Sequence, residues 1–270
     1  MRLRLGAHSE SVRMNPPNPD ARLWLFDFDN TLAALEREVD WPGSRRELEA
    51  FLRDEGVDEK IFAEIPKGNL PLYAALHTRW LRAPATEANI GRPPRETAKA
   101  LMRHSSEIIE RHELIGVERA RPTAGAIDLL EALVTRGTVV IVTSNSSRTV
   151  ARWLGLHGIG NLVRAIVGRD SLLALKPSPE MVVRALNLAA TFAPAAQPAP
   201  SVVDTVFVGD SAADFGAACA ARLGFFGIAT TESARDRLIA AGATELFGSP
   251  AAMRIHLNLA PPEPAHAKSN

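Results

Sequence analysis

The sequence predicts an α/β fold: a doubly wound parallel sheet, covered by helices on both faces, with a second, helical unit inserted into it. Five short apolar runs of strand length alternate with five helical patterns, which is the order expected of a parallel sheet. This alternation stops between residues 41 and 121, where helical stretches follow one another without convincing strands. The 270 residues, 46% of them apolar, suffice for one large domain with a smaller insert.

The elements of the sheet domain follow from apolar runs and their flanks. The predicted strands are Leu23 to Phe28, Thr138 to Thr143, Val163 to Val167, Val202 to Val208 and Phe225 to Ala229. The predicted helices are residues 124–136, 147–156, 179–192, 212–223 and 233–241. Gly137 marks a helix end, and Ser178 with Pro179 offers an N-cap followed by proline at the first helical position. The proline-containing stretch Ala193 to Ser201 predicts a surface loop.

The inserted unit is predicted to be a helical cap over residues 41–120. Ser44 and Glu47 fit a capping box that would open a helix running through Leu52. Pro94 can open a longer helix that includes Ile109. Because this unit leaves the α/β pattern after the first strand and rejoins it before the second, we expect it to cover the carboxyl end of the sheet as a lid.

The two ends of the chain differ in composition from the rest. Residues 1–20 and 259–270 are rich in proline and lack periodicity, so we expect a flexible arm and a loose tail. Met14 is an alternative translation start. The predicted catalytic core is therefore residues 21–40 together with 121–258.

Composition excludes several classes of partner. Lys and Arg total 31, as do Asp and Glu, so no field of one sign covers the molecule, and neither nucleic acid nor a membrane is expected as a partner. The single cysteine, Cys219, forms no intrachain disulfide and is compatible with a reducing compartment. No apolar stretch is long enough for a signal peptide or a membrane span, so we expect a cytoplasmic location.

Asp27 and Asp29 form the first chemical motif, at the end of the first predicted strand. Residues two apart in a strand point to the same side, so both carboxylates would face one pocket if the strand continued to Asp29. An ordinary polar turn would contain the same residue types. The other strand ends decide between these interpretations.

Two further motifs lie in the middle of the chain. Ser144 and Asn145 follow the second strand and could donate to phosphate oxygens, with Thr143 as a substitute because strand register is uncertain; a polar turn that caps the next helix is the alternative. Lys176 precedes Pro177, and residues before proline avoid the helical region, so the backbone of Lys176 should be extended and its side chain held in one direction. A solvated surface lysine is the alternative.

The fourth motif places Asp210 after the Val202 to Val208 strand and Asp214 four residues later. If a helix begins near Ser211, both carboxylates can point to the same sheet edge, and oxygen ligands of this kind suit Mg²⁺. Gly209 permits close approach of backbone or ligand. Together the four motifs supply a complete set of groups for phosphoryl transfer.

With these motifs the chain resembles the haloacid dehalogenase superfamily of phosphohydrolases. The resemblance spans about residues 22–230 and rests on Asp27-Phe28-Asp29-Asn30-Thr31, Ser144-Asn145, Lys176-Pro177 and Gly209-Asp210-Ser211-Ala212-Ala213-Asp214. It implies a Rossmann-like core, a C1-type helical cap, Mg²⁺ and a phospho-aspartyl intermediate. The dehalogenases that name the superfamily lack an aspartate equivalent to Asp29, so its presence favours phosphoryl chemistry.

The resemblance also implies roles for individual residues. Asp27 would attack phosphorus, and Asp29 would protonate the leaving oxygen and then activate water. Asp27, the Asp29 backbone carbonyl and Asp210 would hold Mg²⁺. Asp214 would complete the metal shell or orient Lys176. Phosphate would contact Thr31, Ser144, Asn145 and Lys176.

The sequence thus predicts a Mg²⁺-dependent phosphomonoester hydrolase that acts on a small phosphorylated metabolite. A phosphomutase using the same core and a non-catalytic phosphate-binding or scaffold protein are the alternatives. A nucleotidase is a substrate subclass, for which Trp41, Tyr73 and Trp80 could stack on a base. In the cap, Lys67-Gly68-Asn69 is a candidate loop for contact with an anionic ester. No motif in the sequence indicates which ester is the substrate or what the oligomeric state is.

Overall fold

A six-stranded parallel sheet forms the centre of the protein, as the computed structural model describes it over residues 14–82, 93–192 and 198–260. The strands are β1 (Leu23–Phe26), β2 (Thr138–Val142), β3 (Ala165–Val167), β4 (Thr205–Gly209), β5 (Gly224–Ile228) and β6 (Leu246–Phe247). Their order across the sheet is β3-β2-β1-β4-β5-β6. The chain therefore moves outward in one direction from β1 to β3 and in the other from β4 to β6, which places the topological switch beside β1.

The strand register brings three strand ends together at that switch. Phe26 of β1 pairs with Ile141 of β2 and with Val208 of β4. The residues that follow these strands consequently emerge at one edge of the sheet, because all three strands run in the same direction. Asp27 extends this arrangement, since its backbone N–H donates to the Val208 carbonyl at 2.8 Å.

Helices cover both faces of the sheet, which confirms the predicted fold class. Leu23 and Leu25 pack into one buried cluster, whereas the alternate residues Trp24 and Phe26 pack into another. Strands buried on both faces read as continuous apolar runs, which is why the sequence pattern was clear. The helices outside the insert are α5 (Ala126–Leu133), α6 (Ser147–Leu156), α7 (Glu180–Phe192), α8 (Ala212–Ala220), α9 (Glu232–Ala241) and α10 (Pro250–His256).

The insert is helical, as predicted, although its first helix begins differently. Its helices are α1 (Trp41–Asp54), α2 (Lys60–Glu64), α3 (Asn69–His77), continued by a π-helical turn Thr78–Arg82, and α4 (Arg95–Val117). Asp40 caps α1 by accepting from Gly43 N–H at 2.8 Å. The predicted capping box at Ser44 is therefore wrong: Ser44 is buried inside α1 and accepts from Asn69 Nδ2 at 2.8 Å. Pro94 occupies the position before α4, as predicted.

Other differences concern short elements and element ends. The strand β6 and the helix α10 were not predicted. The two residues of β6 are too few to show a measurable periodicity. The strand β4 begins at Thr205 because Val202–Asp204 forms a 3-10 turn, closed by a capping box between Ser201 and Asp204. The helix α5 is shorter than the predicted 124–136 at both ends.

The segments expected to be loose are described only in part. Of the arm, residues 1–13 lie outside the described residues, whereas 14–20 contact the core: Asn15 Nδ2 donates to the Arg222 carbonyl at 2.8 Å, and a Cβ at Gly224 would lie 2.4 Å from Pro17 Cα. Residues 193–197 of the predicted loop and 261–270 of the tail also lie outside the described residues. No helix among the described residues has the length and apolarity needed to cross a bilayer. The cytoplasmic location stays a prediction.

Candidate active site

A cavity of about 900 Å³ lies at the carboxyl ends of β1, β2 and β4, between the sheet and the inserted helices. Six of the eight candidate site residues line it: Asp27, Asp29, Ser144, Asn145, Lys176 and Asp210. The insert contributes residues such as Trp41, Arg45, Lys67 and Asn69. The cavity therefore has one wall of charged groups from the sheet edge and another from the helical insert.

Asp27 is the most constrained carboxylate of the cavity. It is 5% exposed, and its side chain accepts from Lys176 Nζ through Oδ1. Burial raises the pKa of Asp27 to about 6, because the loss of hydration outweighs the attraction of Lys176. The hydrogen bond from the backbone N–H of Asp27 to the Val208 carbonyl fixes the position of this residue at the floor of the cavity.

Lys176 lies between two carboxylates. Its ammonium contacts Asp27 Oδ1 and lies 2.5 Å from Asp214 Oδ1, and it also donates to the Val142 carbonyl at 3.1 Å. Burial by itself would lower the pKa of Lys176, but Asp214 and Asp27 outweigh it and raise that pKa. The lysine is thus a buried, charged group, and the surface-lysine alternative does not hold.

Asp214 has two functions in the described contacts. Its Oδ2 accepts from Ser211 N–H at 3.0 Å and from the Ser211 hydroxyl at 2.6 Å, which completes the capping box of α8. Its Oδ1 faces Lys176. Asp214 therefore contacts Lys176 from the first turn of α8, and its roles in orienting the lysine or completing a metal shell stay predictions.

Gly209 is required by the close approach of Asp214. A Cβ at position 209 would lie 2.5 Å from Asp214 Cβ and 2.6 Å from its Cγ. We predict that Gly209→Ala displaces Asp214 and loosens Lys176, with a loss of about 1–3 kcal/mol in the free energy of unfolding. Urea unfolding would measure this. Gly155→Ala is the control, because nothing lies within 4 Å of a Cβ there, and equal stability of the two variants would contradict the prediction.

Three carboxylates form a group that could hold a metal ion. Oxygen atoms of Asp27, Asp210 and Asp214 all lie within 4.8 Å of one another. Burial raises the pKa of Asp210 to about 9, with further contributions from Asp214 and Asp27. Among the described residues Lys176 is the only cation that contacts this group, so three acids face one base. An oxygen-only site with this excess negative charge suits a hard divalent cation.

The charge excess has a consequence for stability in the absence of metal. The pKa of Asp27 is raised to about 6, of Asp29 to about 7 and of Asp210 to about 9, whereas unfolded aspartates titrate near 4. The unfolded chain therefore releases protons that the folded chain retains, and stability falls as the pH rises through this window.

We predict that the protein in EDTA unfolds at lower urea concentration at pH 8 than at pH 5, as measured by circular dichroism. Mg²⁺ should reverse most of this loss at pH 8. Greater stability in EDTA at pH 8 would contradict the prediction.

Asp29 lies in the same cavity but directs its carboxylate to the segment that leads into the insert. Its Oδ1 accepts from Leu35 N–H at 3.0 Å and from Glu36 N–H at 2.8 Å. Burial raises the pKa of Asp29 to about 7, against the opposing effect of these hydrogen bonds. Both carboxylates of the first motif thus line one pocket, although β1 ends before either of them.

The second motif is divided between two tasks. Ser144 is half-buried and lines the cavity. Asn145 also lines it, but its side-chain oxygen accepts from Thr143 Oγ1 at 3.0 Å and its nitrogen donates to Glu113 Oε1 at 3.1 Å. Ser146 caps α6 by accepting from Thr149 N–H. The predicted helix cap is thus Ser146, whereas phosphate binding by Ser144 and Asn145 stays a prediction.

Thr31 does not line the cavity. It is fully buried, and its Oγ1 has no hydrogen-bond partner among the described residues. Its carbonyl accepts from Thr123 Oγ1 at 2.6 Å, which ties the first motif to the chain that returns from the insert. A phosphate contact by Thr31 finds no support in this arrangement.

Sequence reasoning missed several residues around the site. Glu36 and Arg237 line the cavity from segments without a motif. Glu113 and Arg169 contact the second motif from behind and are 56 residues apart. An acid and a base this far apart in the sequence give no signal of their pairing. Only the packing of the insert on the sheet brings them together.

Comparisons with known proteins agree with the fold. The model of the family described as haloacid dehalogenase-like hydrolase matches residues 21–222. No curated protein matches the chain significantly.

Two solved structures illustrate the similarity of fold. A "predicted phosphatase" from Clostridium acetobutylicum has a TM-score of 0.57 and 17% identity, over 88% of this chain and 99% of that one. The protein CbbY from Rhodobacter sphaeroides, determined in complex with phosphate, has a TM-score of 0.51 and 21% identity, over 88% and 100%. At these identities the likeness concerns the fold alone.

Proposed function

Since the chain belongs to the haloacid dehalogenase-like hydrolase family, we propose that it is a Mg²⁺-dependent phosphomonoesterase that forms an aspartyl-phosphate on Asp27. The observation that carries this proposal is the contact of Lys176 with Asp27 beside the Asp27, Asp210 and Asp214 group. A buried carboxylate next to a fixed cation can approach a phosphate dianion that it would otherwise repel. A cavity of about 900 Å³ is suited to a small phosphorylated metabolite.

The proposed reaction has two displacements at phosphorus. An oxygen of Asp27 attacks phosphorus, the bond from phosphorus to the ester oxygen breaks, and Asp29 donates a proton to the leaving oxygen. Asp29 then accepts a proton from water, which attacks the aspartyl-phosphate and releases inorganic phosphate. Lys176 and the Ser144 hydroxyl bind the phosphoryl oxygens during both steps.

The environment of Asp29 supports its role as acid and then base. Its pKa of about 7 leaves both protonation states populated near neutral pH, as proton transfer in both directions requires. Mg²⁺ would be held by Asp27 and Asp210, with Asp214 close by, and would reduce repulsion between the nucleophile and the phosphate. The backbone carbonyl of Asp29 is a further proposed ligand.

The insert would supply contacts to the leaving group. Arg45 donates to the carbonyls of Gly68 at 2.7 Å and Ile65 at 2.6 Å, which holds the loop carrying Lys67 against α1. Lys67 is exposed and lines the cavity. A basic residue on a fixed loop favours a leaving group that carries its own negative charge.

The aromatic residues argue against a nucleotide as the preferred substrate. Tyr73 and Trp80 are buried in the cluster shared by the insert and the sheet, and they do not line the cavity. Trp41 does line it, and its indole N–H donates to the Glu36 carbonyl at 2.8 Å. Of the three aromatic residues that could stack on a base, only Trp41 lines the cavity, and Tyr73 and Trp80 pack in the core.

The test is phosphate release from a panel of sugar phosphates, phosphoglycolate and nucleotides, with Mg²⁺ and with EDTA. We expect release from at least one ester of a small anionic metabolite, dependent on Mg²⁺. Transfer of phosphate to an added sugar phosphate, without net release, would favour the phosphomutase alternative. Binding of phosphate without turnover of any ester would favour the non-catalytic alternative.

A further inference from the structure

A fully buried ion pair joins the helical insert to the sheet domain. Glu113 lies on α4, and Arg169 lies in the turn that follows β3. Both side chains are 0% exposed, and they form two parallel contacts, Nη1 to Oε1 at 2.7 Å and Nη2 to Oε2 at 3.1 Å. This is the bidentate arrangement in which an arginine and a carboxylate bind each other most strongly.

The same two residues hold the segment from Ser144 to Ser146, which includes the second motif. Glu113 accepts from Asn145 Nδ2 and from Ser146 N–H, each at 3.1 Å. Arg169 donates to the Ser144 carbonyl at 2.7 Å through Nη1, and its backbone N–H donates to the Asn145 carbonyl at 2.9 Å. The polar groups that this segment directs away from the cavity are therefore fixed by one acid and one base.

The remaining contacts anchor the pair to the insert and to α6. Arg169 Nε donates to Ser106 Oγ at 3.1 Å, and Nη2 donates to the Ser106 carbonyl at 3.2 Å, both on α4. Glu113 Oε2 also accepts from Thr149 Oγ1 at 3.2 Å. Every guanidinium nitrogen and both carboxylate oxygens have partners, so the pair has one orientation.

Stability alone does not explain such a pair. Desolvating two charges costs about as much as their attraction returns, and apolar residues of similar volume are often at least as stabilising. What apolar residues could not provide is a set of directed hydrogen bonds to the segment from Ser144 to Ser146. The contacts point to a function in fixing the shape of this segment.

We propose that Glu113 and Arg169 are positioning residues for the phosphate site, an inference that rests on the proposed function. They hold the backbone of residues 144–146 and so keep Ser144 in the wall of the cavity. Helix α4 of the insert would thereby contribute to phosphate binding itself, in addition to any contact with the leaving group. Loss of the pair should weaken phosphate binding even in a folded protein.

The test compares phosphate affinity in matched variants. We expect Glu113→Gln to weaken the binding of inorganic phosphate, measured by calorimetry with Mg²⁺, about tenfold or more, because the Gln amide cannot accept the whole set of hydrogen bonds. Glu110→Gln is the control: Glu110 also lies on α4 and pairs with Arg148 of α6 at 3.3 Å, but it has no contact with the segment. The control should bind phosphate as the wild type does.

A double variant separates positioning from stability. Glu113→Leu with Arg169→Met removes both charges, and we expect it to recover stability relative to Glu113→Gln without recovering phosphate affinity. If this variant or Glu113→Gln bound phosphate as tightly as the wild type, the proposal would be wrong. Should both fail to fold, Arg169→Lys, which keeps the charge and loses the second parallel contact, is compared in the same way.

The outcomes distinguish this inference from the proposed function. Ester hydrolysis by the wild type with unchanged phosphate affinity in the variants would overturn the inference and leave the function intact. If the wild type hydrolysed no ester and the variants bound phosphate more weakly than it does, the proposed function would be wrong and the positioning role would stand. A wild type that neither binds phosphate nor hydrolyses any ester would overturn both.

Discussion

Asp27→Asn is expected to abolish turnover while leaving the protein folded. The amide cannot attack phosphorus, so kcat should fall by at least about a thousandfold on the best ester of the panel. The free energy of unfolding in EDTA should be unchanged or higher, because burial of the Asp27 carboxylate raises its pKa and is therefore costly. Phosphate release and urea unfolding measure the two effects.

The matched control for this variant is Asp128→Asn, which makes the same chemical change at an exposed position on α5. It should retain activity and stability. If Asp27→Asn kept more than about a tenth of the wild-type kcat, Asp27 would not be the nucleophile. If it lost activity only because it unfolded, the carboxylate would be structural, contrary to the cost of its burial.

Lys176→Met is expected to lose both activity and stability. It leaves Asp27 and Asp214 buried without their cation, and breaking a buried pair in this way costs about 3–5 kcal/mol in the free energy of unfolding. Loss of the charge that binds the phosphoryl oxygens should lower kcat/KM by at least about a hundredfold. The exposed residue Lys60 provides the control, Lys60→Met.

The stability loss of Lys176→Met should depend on pH. Without the lysine the buried Asp27 carboxyl is favoured in its protonated form, so its pKa in the folded state rises further. A raised carboxyl pKa gives stability that is present at low pH and is lost as the pH rises. The difference in unfolding free energy between variant and wild type should therefore be smaller at pH 5 than at pH 8. A loss of equal size at both pH values would show that packing, and not charge, is the main contribution of Lys176.

The grouping of the proposed catalytic residues at one sheet edge could be predicted from the sequence because they follow buried parallel strands. Asp27, Ser144 and Asp210 come directly after β1, β2 and β4 or within two residues of their ends, and parallel strands end at one edge. Lys176 was placed there by its motif, and the structure shows its two carboxylate partners. The position of a polar residue directly after a buried strand was sufficient to place it at this edge of the sheet.

Features that depend on packing between distant segments could not be predicted. The Asn145 amide is directed to Glu113 instead of the cavity, and nothing near Asn145 in the sequence indicates this. Ser44 and Glu47 matched a capping box, but Asp40 supplied the cap one turn earlier. Tyr73 and Trp80 could have faced a substrate or a core, and only the packing of α3 and the turn after it on the other helices of the insert places them in the core.

The most direct test of the account is chemical trapping of the intermediate. The wild-type protein is mixed with its best ester and Mg²⁺, quenched in acid and reduced with borohydride, which converts an aspartyl-phosphate to homoserine. Peptide mass spectrometry then locates the modified residue. We predict homoserine at position 27, and none there when Asp27→Asn is treated identically. Homoserine found only at another carboxylate of an active enzyme would contradict the central claim. The claim would also be contradicted if phosphate were transferred from the ester to the protein while Asp27 stayed unmodified.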